Sequence, residues 1–386
     1  MQTVKNFSFQ VPKKFIFGMG ESKKIGEEAK RIGAHRALVI TDPVVKQVGT
    51  TDTVLTYLKN AGLAVEVFSG VKPEPPVELL EECVMKTREL NYDIIVGIGG
   101  GSSLDLAKAT SVIAGNTGTV SDYLLGKVPN NRGLPRILLP TTAGTGSEVT
   151  CGAVFTDEKS NTKIGMVNPL LFADLAIVDP EFTVSMPPEV TASTGIDVLI
   201  HAVESFIARL ASPISEQFAL KAIKLTETYL RMAFADGKNL VAREMMALAS
   251  LTAGLSITNA FCGAAHALAY PLGAIYHVPH GVACYVVFSA SMELNSIANL
   301  SKFKSMAVEM GIKTEGLPDR EVATAVIEAF RQLGKDIQLP QSLRDIGVSK
   351  GDIPKLVELV KQQHLIDNNP YHLDKKAIST IYEASF

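Results

Sequence analysis

Five short runs of aliphatic and β-branched residues, each followed by a longer stretch with helical spacing, constrain the fold of the first half of this 386-residue chain. Near-continuous apolar strands that alternate with helices are typical of a parallel sheet covered by helices on both faces. The runs are residues 37–41, 64–68, 93–98, 136–139 and 175–178. We therefore predict an α/β unit here.

The second half has a different pattern. Strand-like runs almost disappear after the proline pair at 187–188, and apolar residues recur at spacings of three and four, as over 218–229. That spacing is typical of amphipathic helices, and two prolines cannot continue a preceding helix or strand. The sequence predicts two domains, an α/β domain over 1–185 and an all-helical domain over 186–386.

Charge and hydropathy limit the partners of the chain. Its 37 basic and 40 acidic residues give a net charge of −3, which provides no basic surface for nucleic acid or an anionic membrane. No run reaches the about 18 to 20 consecutive apolar residues of a membrane span, and the start lacks an apolar signal core. The four cysteines form no Cys-x-x-Cys pair. We expect a soluble, cytoplasmic protein that binds small molecules, but no nucleic acid and no membrane.

A strand, a glycine turn and a helix follow one another over residues 93–109. The turn contains Gly99, Gly100, Gly101 and Ser102. A helix that begins at such a turn presents free N–H groups and the positive end of its dipole to a phosphate. The alternative needs no ligand: a tight turn with a capping box between Ser102 and Asp105.

The glycine turn departs from the standard dinucleotide fingerprint Gly-x-Gly-x-x-Gly. With Gly97 in the first position, the last position is Ser102. The candidate ribose-binding acid, Asp42, lies upstream of the turn, whereas the standard order places it about 20 residues downstream. A standard Rossmann fold is therefore disfavoured, and a related α/β sheet with another strand order stays open.

A second loop of small residues, 140–148, follows the strand at 136–139. It contains Thr141, Thr142 and Thr145, whose hydroxyl and N–H groups stand at the carboxyl end of a buried strand. Open α/β sheets bind their ligands at that edge. One such loop alone would be read as a solvated turn, but the two loops together favour nucleotide binding.

Histidines and one aspartate in the helical half indicate a metal site. Asp197 and His201 are four residues apart in an apolar stretch, so they share one face of a helix. An ordinary surface pair is the alternative, but burial of a carboxylate is costly unless it is paired or metal-bound. Three more histidines, His266, His277 and His280, fall in one short window. Two or three imidazoles with one carboxylate suit Fe²⁺, Zn²⁺ or Co²⁺.

Over essentially its whole length the chain resembles the iron-containing, or group III, alcohol dehydrogenases. Four motifs in the same order carry the resemblance: Gly99-Gly100-Gly101-Ser102-x-x-Asp105-x-x-Lys108, the loop 140–148, Gly195-x-Asp197-x-x-x-His201-Ala202-x-Glu204, and Pro279-His280-Gly281. The resemblance implies that the first domain binds a nicotinamide dinucleotide and the second a metal ion, with the active site in the cleft between them.

The resemblance also implies roles for particular residues. The implied metal ligands are Asp197, His201, His266 and His280, with Fe²⁺ as the ion and Zn²⁺ or another divalent ion as alternatives. The implied cofactor contacts are Asp42, Gly99, Gly100, Gly101, Ser102, Thr141, Thr142, Thr145 and Lys163. Because Asp42 would contact the adenosine ribose and repel a 2′-phosphate, NAD(H) is preferred over NADP(H). Family members also suggest a homodimer or a larger homo-oligomer.

The implied reaction is reversible hydride transfer between a primary alcohol or diol and its aldehyde. Tyr270 stands where many members have a histidine, so we assign the proton path to His277, with Tyr270, because imidazole titrates near neutral pH. A loop histidine without such a role is the alternative for His277. Other hypotheses are a hydroxy-acid dehydrogenase, for instance for 4-hydroxybutyrate, a lyase similar to dehydroquinate synthase, and a nucleotide-binding protein without catalysis.

Overall fold

The computed structural model describes residues 6–157, 162–360 and 364–386, with only the backbone described at 162 and 364. These residues form two compact units, one spanning Gln10–Met186 and the other Pro187–Phe386 together with residues 6–9. The first unit therefore starts later than the predicted residue 1. The reason is a ring contact, since Phe9 stacks against Phe218 of the helical unit with 5.8 Å between ring centroids.

The α/β unit contains a six-stranded sheet in which every strand pair is parallel. Its described strands are β1 (Phe15–Phe17), β2 (Arg36–Ile40), β3 (Ala64–Phe68), β4 (Ile94–Gly99), β5 (Arg136–Pro140), β6 (Gly152–Asp157), β7 (Thr162–Val167) and β8 (Leu175–Val178). Its described helices are α1 (Ile25–Ile32), α2 (Pro43–Gln47), α3 (Thr50–Asn60), α4 (Val77–Glu89), α5 (Gly101–Ala114) and α6 (Val120–Leu124). The predicted parallel α/β fold is confirmed.

The strand order β1-β8-β5-β4-β2-β3 contains a reversal between β2 and β4. From β2 the chain moves outward to β3, whereas from β4 it moves the other way to β5. Connections that leave neighbouring strands in opposite directions open a crevice at the carboxyl ends of those strands. Asp42 follows β2 and the glycine turn follows β4. The acid thus precedes the glycines in sequence because its strand comes first, although the two strands are neighbours in the sheet.

The central strands bury side chains on both faces. Leu38 and Ile40 of β2 belong to an apolar cluster shared with α4 and α5, whereas Ala37 and Val39 belong to the cluster shared with α1 and α3. Alternate residues of a strand point to opposite faces, so a near-continuous apolar run is what a sheet covered on both sides requires.

Two parts of the α/β unit lie outside the five predicted runs: strand β1 and the pair formed by β6 and β7. Strands β6 and β7 form a separate antiparallel pair in register from Gly152–Val167 to Asp157–Thr162. Val154 and Val167 of this pair are exposed, so it does not carry the buried apolar pattern of the central strands. Its strands are short and half polar, so their sequence resembles that of a loop. Apolar patterns indicate that a strand is buried, but they do not indicate which strands pair.

The described part of Pro187–Phe386 contains helices and no strands, as the sequence predicts. Its helices are α7 (Pro188–Ile207), α8 (Pro213–Ala235), α9 (Leu240–Ala260), α10 (Ala264–Tyr276), α11 (His280–Ala298), α12 (Leu300–Glu309), α13 (Asp319–Asp336), α14 (Ile353–Val360) and α15 (Lys375–Ala384). The proline pair opens α7, where Pro188 occupies a first-turn position that needs no N–H donor.

Three of these helices, α7, α9 and α11, are long and apolar enough to span a membrane by length and composition alone. In the structure, 83%, 67% and 67% of the most apolar 18-residue stretch of α7, α9 and α11, respectively, is buried inside the protein. Their hydropathy is thus accounted for by packing against neighbouring helices, since a helix that is apolar on most sides can belong to a protein core as well as to a membrane.

Gly281, the residue after His280, lies where α11 approaches α7 closely. A methyl group added there would lie 1.9 Å from the carbonyl oxygen of Ser193. Because backbone cannot move aside as a side chain can, Gly281→Ala should force the helices apart and lower the free energy of unfolding by about 1–3 kcal/mol. Denaturant unfolding measures this loss. Gly351→Ala, which meets only the Ser349 hydroxyl at 3.7 Å, is the control; equal stability of both variants would contradict the close approach.

Candidate active site

Four side chains from three helices of the helical unit converge on one point. Asp197 and His201 lie one turn apart on α7, His266 lies on α10, and His280 begins α11. Each offers one oxygen or nitrogen atom, and these four atoms all lie within 4.8 Å of one another. The structure thus brings together the four residues that the resemblance implies as metal ligands.

The distances within this cluster are too long for hydrogen bonds and suit an intervening ion. Asp197 Oδ1 lies 3.7 Å from His266 Nε2 and 3.9 Å from His280 Nε2, and Asp197 Oδ2 lies 3.8 Å from His201 Nδ1. Direct hydrogen bonds between such atoms are closer to 3 Å. Ligand atoms each about 2.0–2.2 Å from a common ion are separated by roughly these spacings.

Two buried atoms of the cluster test whether a metal fits. Within the described residues, Asp197 Oδ1 and His266 Nε2 are buried and have no hydrogen-bond partner. Leaving a buried polar atom unsatisfied costs about 1–3 kcal/mol, and more for a charged group. One divalent ion would satisfy both atoms at once, and a donor set of imidazoles and a carboxylate suits a borderline transition ion. The residues present therefore fit a metal.

Glu204 contacts the cluster through His266. It is not among the predicted site residues, although it ends one of the four motifs. Its carboxylate lies 2.6 Å from His266 Nδ1. Burial alone would raise the pKa of Glu204, but hydrogen bonds from His266, Gly263 and Ala265 lower it below the ordinary value. A signal was available: Glu204 stands three residues after His201 and seven after Asp197, a spacing that keeps all three on one helix face.

The two residues assigned to the proton path are placed differently. Tyr270 is half-buried on α10, and its ring lies 6.3 Å from that of His280. Burial raises the pKa of Tyr270 to about 12, so its hydroxyl stays protonated near neutral pH. His277 ends α10 with a left-handed backbone, φ +54°, and its side chain is exposed. The structure brings Tyr270 to the cluster, whereas the role of His277 stays a prediction.

The glycine turn in the α/β unit begins at a position that only glycine adopts easily. Gly99 has φ +146°, and a methyl group there would lie 2.5 Å from Ser103 Oγ and 3.0 Å from Asp42 Oδ2. The turn therefore lies against Asp42 across the crevice between β2 and β4. This brings together two of the predicted cofactor elements that are far apart in sequence.

The capping-box alternative for this turn is wrong. Helix α5 begins at Gly101 without a side-chain cap. Ser102 Oγ instead accepts from the backbone N–H of Glu74 at 3.3 Å. Asp105 accepts from Ser147 Oγ at 2.6 Å and from Val154 N–H at 2.9 Å. The side chains of Ser102 and Asp105 therefore do not cap the N-terminal N–H groups of α5.

The second loop packs directly on the glycine turn. A methyl group at Gly101 would lie 2.8 Å from Thr145, and one at Gly100 would lie 3.4 Å from Thr142. The N–H of Thr141 donates to the carbonyl oxygen of Gly99 at 3.0 Å. The three predicted threonines therefore lie against the glycine turn, Thr141 through its backbone and Thr142 and Thr145 through their side chains.

Asp42 and Lys163 are held in place by specific contacts. Asp42 Oδ1 caps α2 by accepting from two backbone N–H groups, each at 2.9 Å, so Oδ2 is the oxygen that faces the glycine turn. Lys163 Nζ lies 2.9 Å from Glu74 Oε2 and 3.2 Å from Thr156 Oγ1. Glu74 thereby links Lys163 to Ser102. The sequence gives no signal for Glu74, which stands in a proline-rich loop.

Comparison with known proteins agrees with this arrangement. The family model described as iron-containing alcohol dehydrogenase matches residues 12–180, and its C-terminal counterpart matches residues 191–386. The chain is 41% identical to a choline dehydrogenase of Bacillus subtilis (strain 168), over 98% of this chain and 95% of the relative. Among solved structures, a 1,3-propanediol oxidoreductase has a TM-score of 0.96 and 36% identity, with 99% and 100% of the two chains covered.

A second solved structure, the sulfoacetaldehyde reductase from Bifidobacterium kashiwanohense in complex with NAD⁺, has a TM-score of 0.90 and 33% identity, with 98% of each chain covered. The fold, the cluster and these relatives define an oxidoreductase that acts on CH–OH groups. The chain belongs to the iron-containing alcohol dehydrogenase family and interconverts alcohols and aldehydes with a nicotinamide cofactor.

Proposed function

We propose that the protein is an Fe²⁺-dependent, NAD-preferring dehydrogenase of small, uncharged primary alcohols and diols. The observation that carries the proposal is the cluster of Asp197, His201, His266 and His280, in which buried atoms of Asp197 and His266 have no hydrogen-bond partner among the described residues. Imidazole and carboxylate donors suit Fe²⁺, with Zn²⁺ as the second candidate.

Different residues would bind the metal ion, orient the substrate and transfer the proton. The three histidines and Asp197 would hold the ion, and the charge of Asp197 offsets part of the charge of the ion. When bound, the ion supplies Lewis-acid polarisation of the substrate oxygen, and the nicotinamide accepts or donates the hydride. Tyr270 keeps its proton and orients the substrate as a hydrogen-bond donor. His277, exposed at the end of the same helix, exchanges the alcohol proton with solvent.

The charge of the helical unit supports a neutral substrate. No lysine or arginine occurs between Arg243 and Lys302, the stretch that contains His266 and His280. Arg243 itself is buried and donates to the carbonyl oxygen of Gly237 at 2.9 Å and to Thr191 Oγ1 at 2.9 Å. A hydroxy-acid substrate would call for a cation to pair its carboxylate.

A substrate panel tests this choice. The values of kcat/KM are measured for 1-butanol, 1,2-propanediol, 1,3-propanediol and 4-hydroxybutyrate with NAD, on protein loaded with Fe²⁺ and, separately, with Zn²⁺. We expect a neutral alcohol or diol to exceed the acid by about tenfold or more, since an unpaired carboxylate would be desolvated near the site. A dominant preference for 4-hydroxybutyrate would refute the proposed substrate class.

Asp42 gives a prediction for cofactor choice. Asp42→Asn keeps an oxygen to cap α2 but removes the charge that faces the ribose site, so repulsion of a 2′-phosphate is relieved. We expect the ratio of kcat/KM for NADP to that for NAD to rise about tenfold. Asp52→Asn, an exposed aspartate on α3, is the matched control. An unchanged ratio in Asp42→Asn would show that Asp42 does not select the cofactor.

The proposal includes a homodimer or larger homo-oligomer in the cytoplasm. Large apolar side chains on the surface support self-association, for instance Leu125 at 82% and Val128 at 68% exposure. The four cysteines are present as thiols, which suits a reducing compartment. Light scattering after size-exclusion chromatography gives the mass in solution, and a monomer of 41.4 kDa at micromolar concentration would contradict this part of the proposal.

A further inference from the structure

The buried carboxylate of Glu204 on α7 lies within hydrogen-bond distance of three nitrogen atoms at the start of α10. Its Oε1 accepts from the backbone N–H of Ala265 at 2.6 Å, and its Oε2 accepts from that of Gly263 at 3.0 Å. Oε2 also lies 2.6 Å from His266 Nδ1. The residue is 1% exposed. Because both oxygens already accept backbone N–H bonds, His266 Nδ1 is the donor in the third contact.

This contact fixes which nitrogen of His266 is free. A neutral imidazole carries one proton, and donation from Nδ1 places it there. Nε2 then presents a lone pair, and Nε2 is the buried atom that lies 3.7 Å from Asp197 Oδ1 and has no hydrogen-bond partner in the part of the chain that the structure describes. Histidine ligands of metals commonly donate their second N–H to a carboxylate in this way, which sets the ring orientation and strengthens the ligand.

A rival interpretation uses the same residues. Glu204, Cys262 and His266 offer three atoms within 4.8 Å of one another, close enough to hold an ion of their own. An ion bound through Nδ1 of His266 would have to displace the proton there, and it would compete with the N–H bonds that the Glu204 carboxylate accepts. Both changes are costly in a buried site. The observed hydrogen bonds therefore favour Glu204 as a support for the four-residue cluster.

We propose that Glu204 is a positioning residue of the metal site, which holds His266 in the tautomer whose Nε2 can bind the ion and fixes the start of α10 on α7. This inference rests on the proposed metal site. Glutamine cannot replace Glu204 in this role. Whichever way its amide is turned, the NH₂ group faces a backbone N–H, and one orientation moves the proton of His266 to Nε2.

The test compares Glu204→Gln with Glu227→Gln, which makes the same change at a carboxylate of α8 that accepts from Arg231 at 2.8 Å. Metal-free protein is titrated with Co²⁺, and the dissociation constant and the stoichiometry are measured. We expect the wild type and Glu227→Gln to bind one ion per chain with equal affinity, and Glu204→Gln to bind it 10- to 100-fold more weakly. Equal affinity in Glu204→Gln would overturn the inference.

A second measurement needs no variant at Glu204. In metal-free wild type, ¹⁵N NMR of the histidine rings, assigned with His266→Ala, reports which nitrogen of His266 carries the proton. We expect protonated Nδ1; a ring whose only proton is on Nε2 would overturn the inference even if Glu204→Gln fails to fold. Two ions per chain in the wild type and one in Glu204→Gln would favour the rival. No ion in the wild type would contradict the proposed function itself, a result distinct from the others.

Discussion

Replacing His266 by alanine should abolish metal retention and lower turnover of alcohols by roughly a thousandfold or more, the equivalent of about 4 kcal/mol. His266 supplies one of the three imidazoles of the cluster, and its Nε2 lies 3.7 Å from Asp197 Oδ1. Without it, Asp197 Oδ1 has lost a neighbour in a buried position, and an ion there would keep only three protein ligands. The affinity for NADH should stay within about twofold, because the glycine turn belongs to the other unit.

Three measurements on the same preparation check this result: elemental analysis after dialysis, turnover with 1,3-propanediol, and NADH binding by fluorescence. His372→Ala is the matched control, since His372 is an exposed histidine of the same unit outside the cluster. The control should retain metal and turnover. If His266→Ala kept a full complement of metal and near wild-type turnover, His266 would not be a ligand.

Replacing Gly99 by alanine should have the opposite pattern, with loss of NADH binding and retention of metal. The added methyl group would lie 2.5 Å from Ser103 Oγ and 3.0 Å from Asp42 Oδ2, at a backbone φ of +146°. L-residues adopt such a backbone only with strain of about 1–3 kcal/mol. The turn must shift, which would move the start of α5 and the crevice beside Asp42. We expect the dissociation constant for NADH to rise at least about tenfold.

Gly152→Ala is the control for this variant, because its methyl group would meet only Val167, at an ordinary 3.9 Å. Fluorescence titration gives the NADH affinity, and elemental analysis gives the metal content of both variants. Wild-type NADH affinity in Gly99→Ala would show that the glycine turn does not hold the cofactor. Loss of metal in Gly99→Ala would show that the two functions are not divided between the two units.

The sequence predicts the parts of the fold that depend on burial. The central strands and the long helices bury apolar residues in periodic patterns, and these patterns agree with β2, β3, β4, β5 and β8 and with α8. The strand order is not encoded in such local patterns. For that reason the upstream position of Asp42 counts against a standard Rossmann fold in the sequence, although β2 and β4 pair directly in the structure.

The candidate site, like the fold, is predicted from the sequence only in part. Asp197 and His201 share a helix face, and the other histidines stand out by composition, so the sequence predicts the cluster. The supporting residues make distant contacts: Glu204 is 62 residues from His266 at the cluster, and Glu74 is 28 residues from Ser102 at the glycine turn. Neither pair has a spacing that local periodicity can detect. The exposed position of His277 likewise depends on how α10 ends, with a left-handed residue that the sequence does not indicate.

The most direct test of the account is alcohol oxidation by metal-free protein before and after reconstitution. Protein stripped of metal is mixed with NAD and 1,3-propanediol, and the absorbance of NADH is followed as Fe²⁺ is added under anaerobic conditions. The account predicts no NADH formation above background without metal, and activity that rises until one ion per chain is bound. Full activity in protein shown by elemental analysis to lack metal would contradict it.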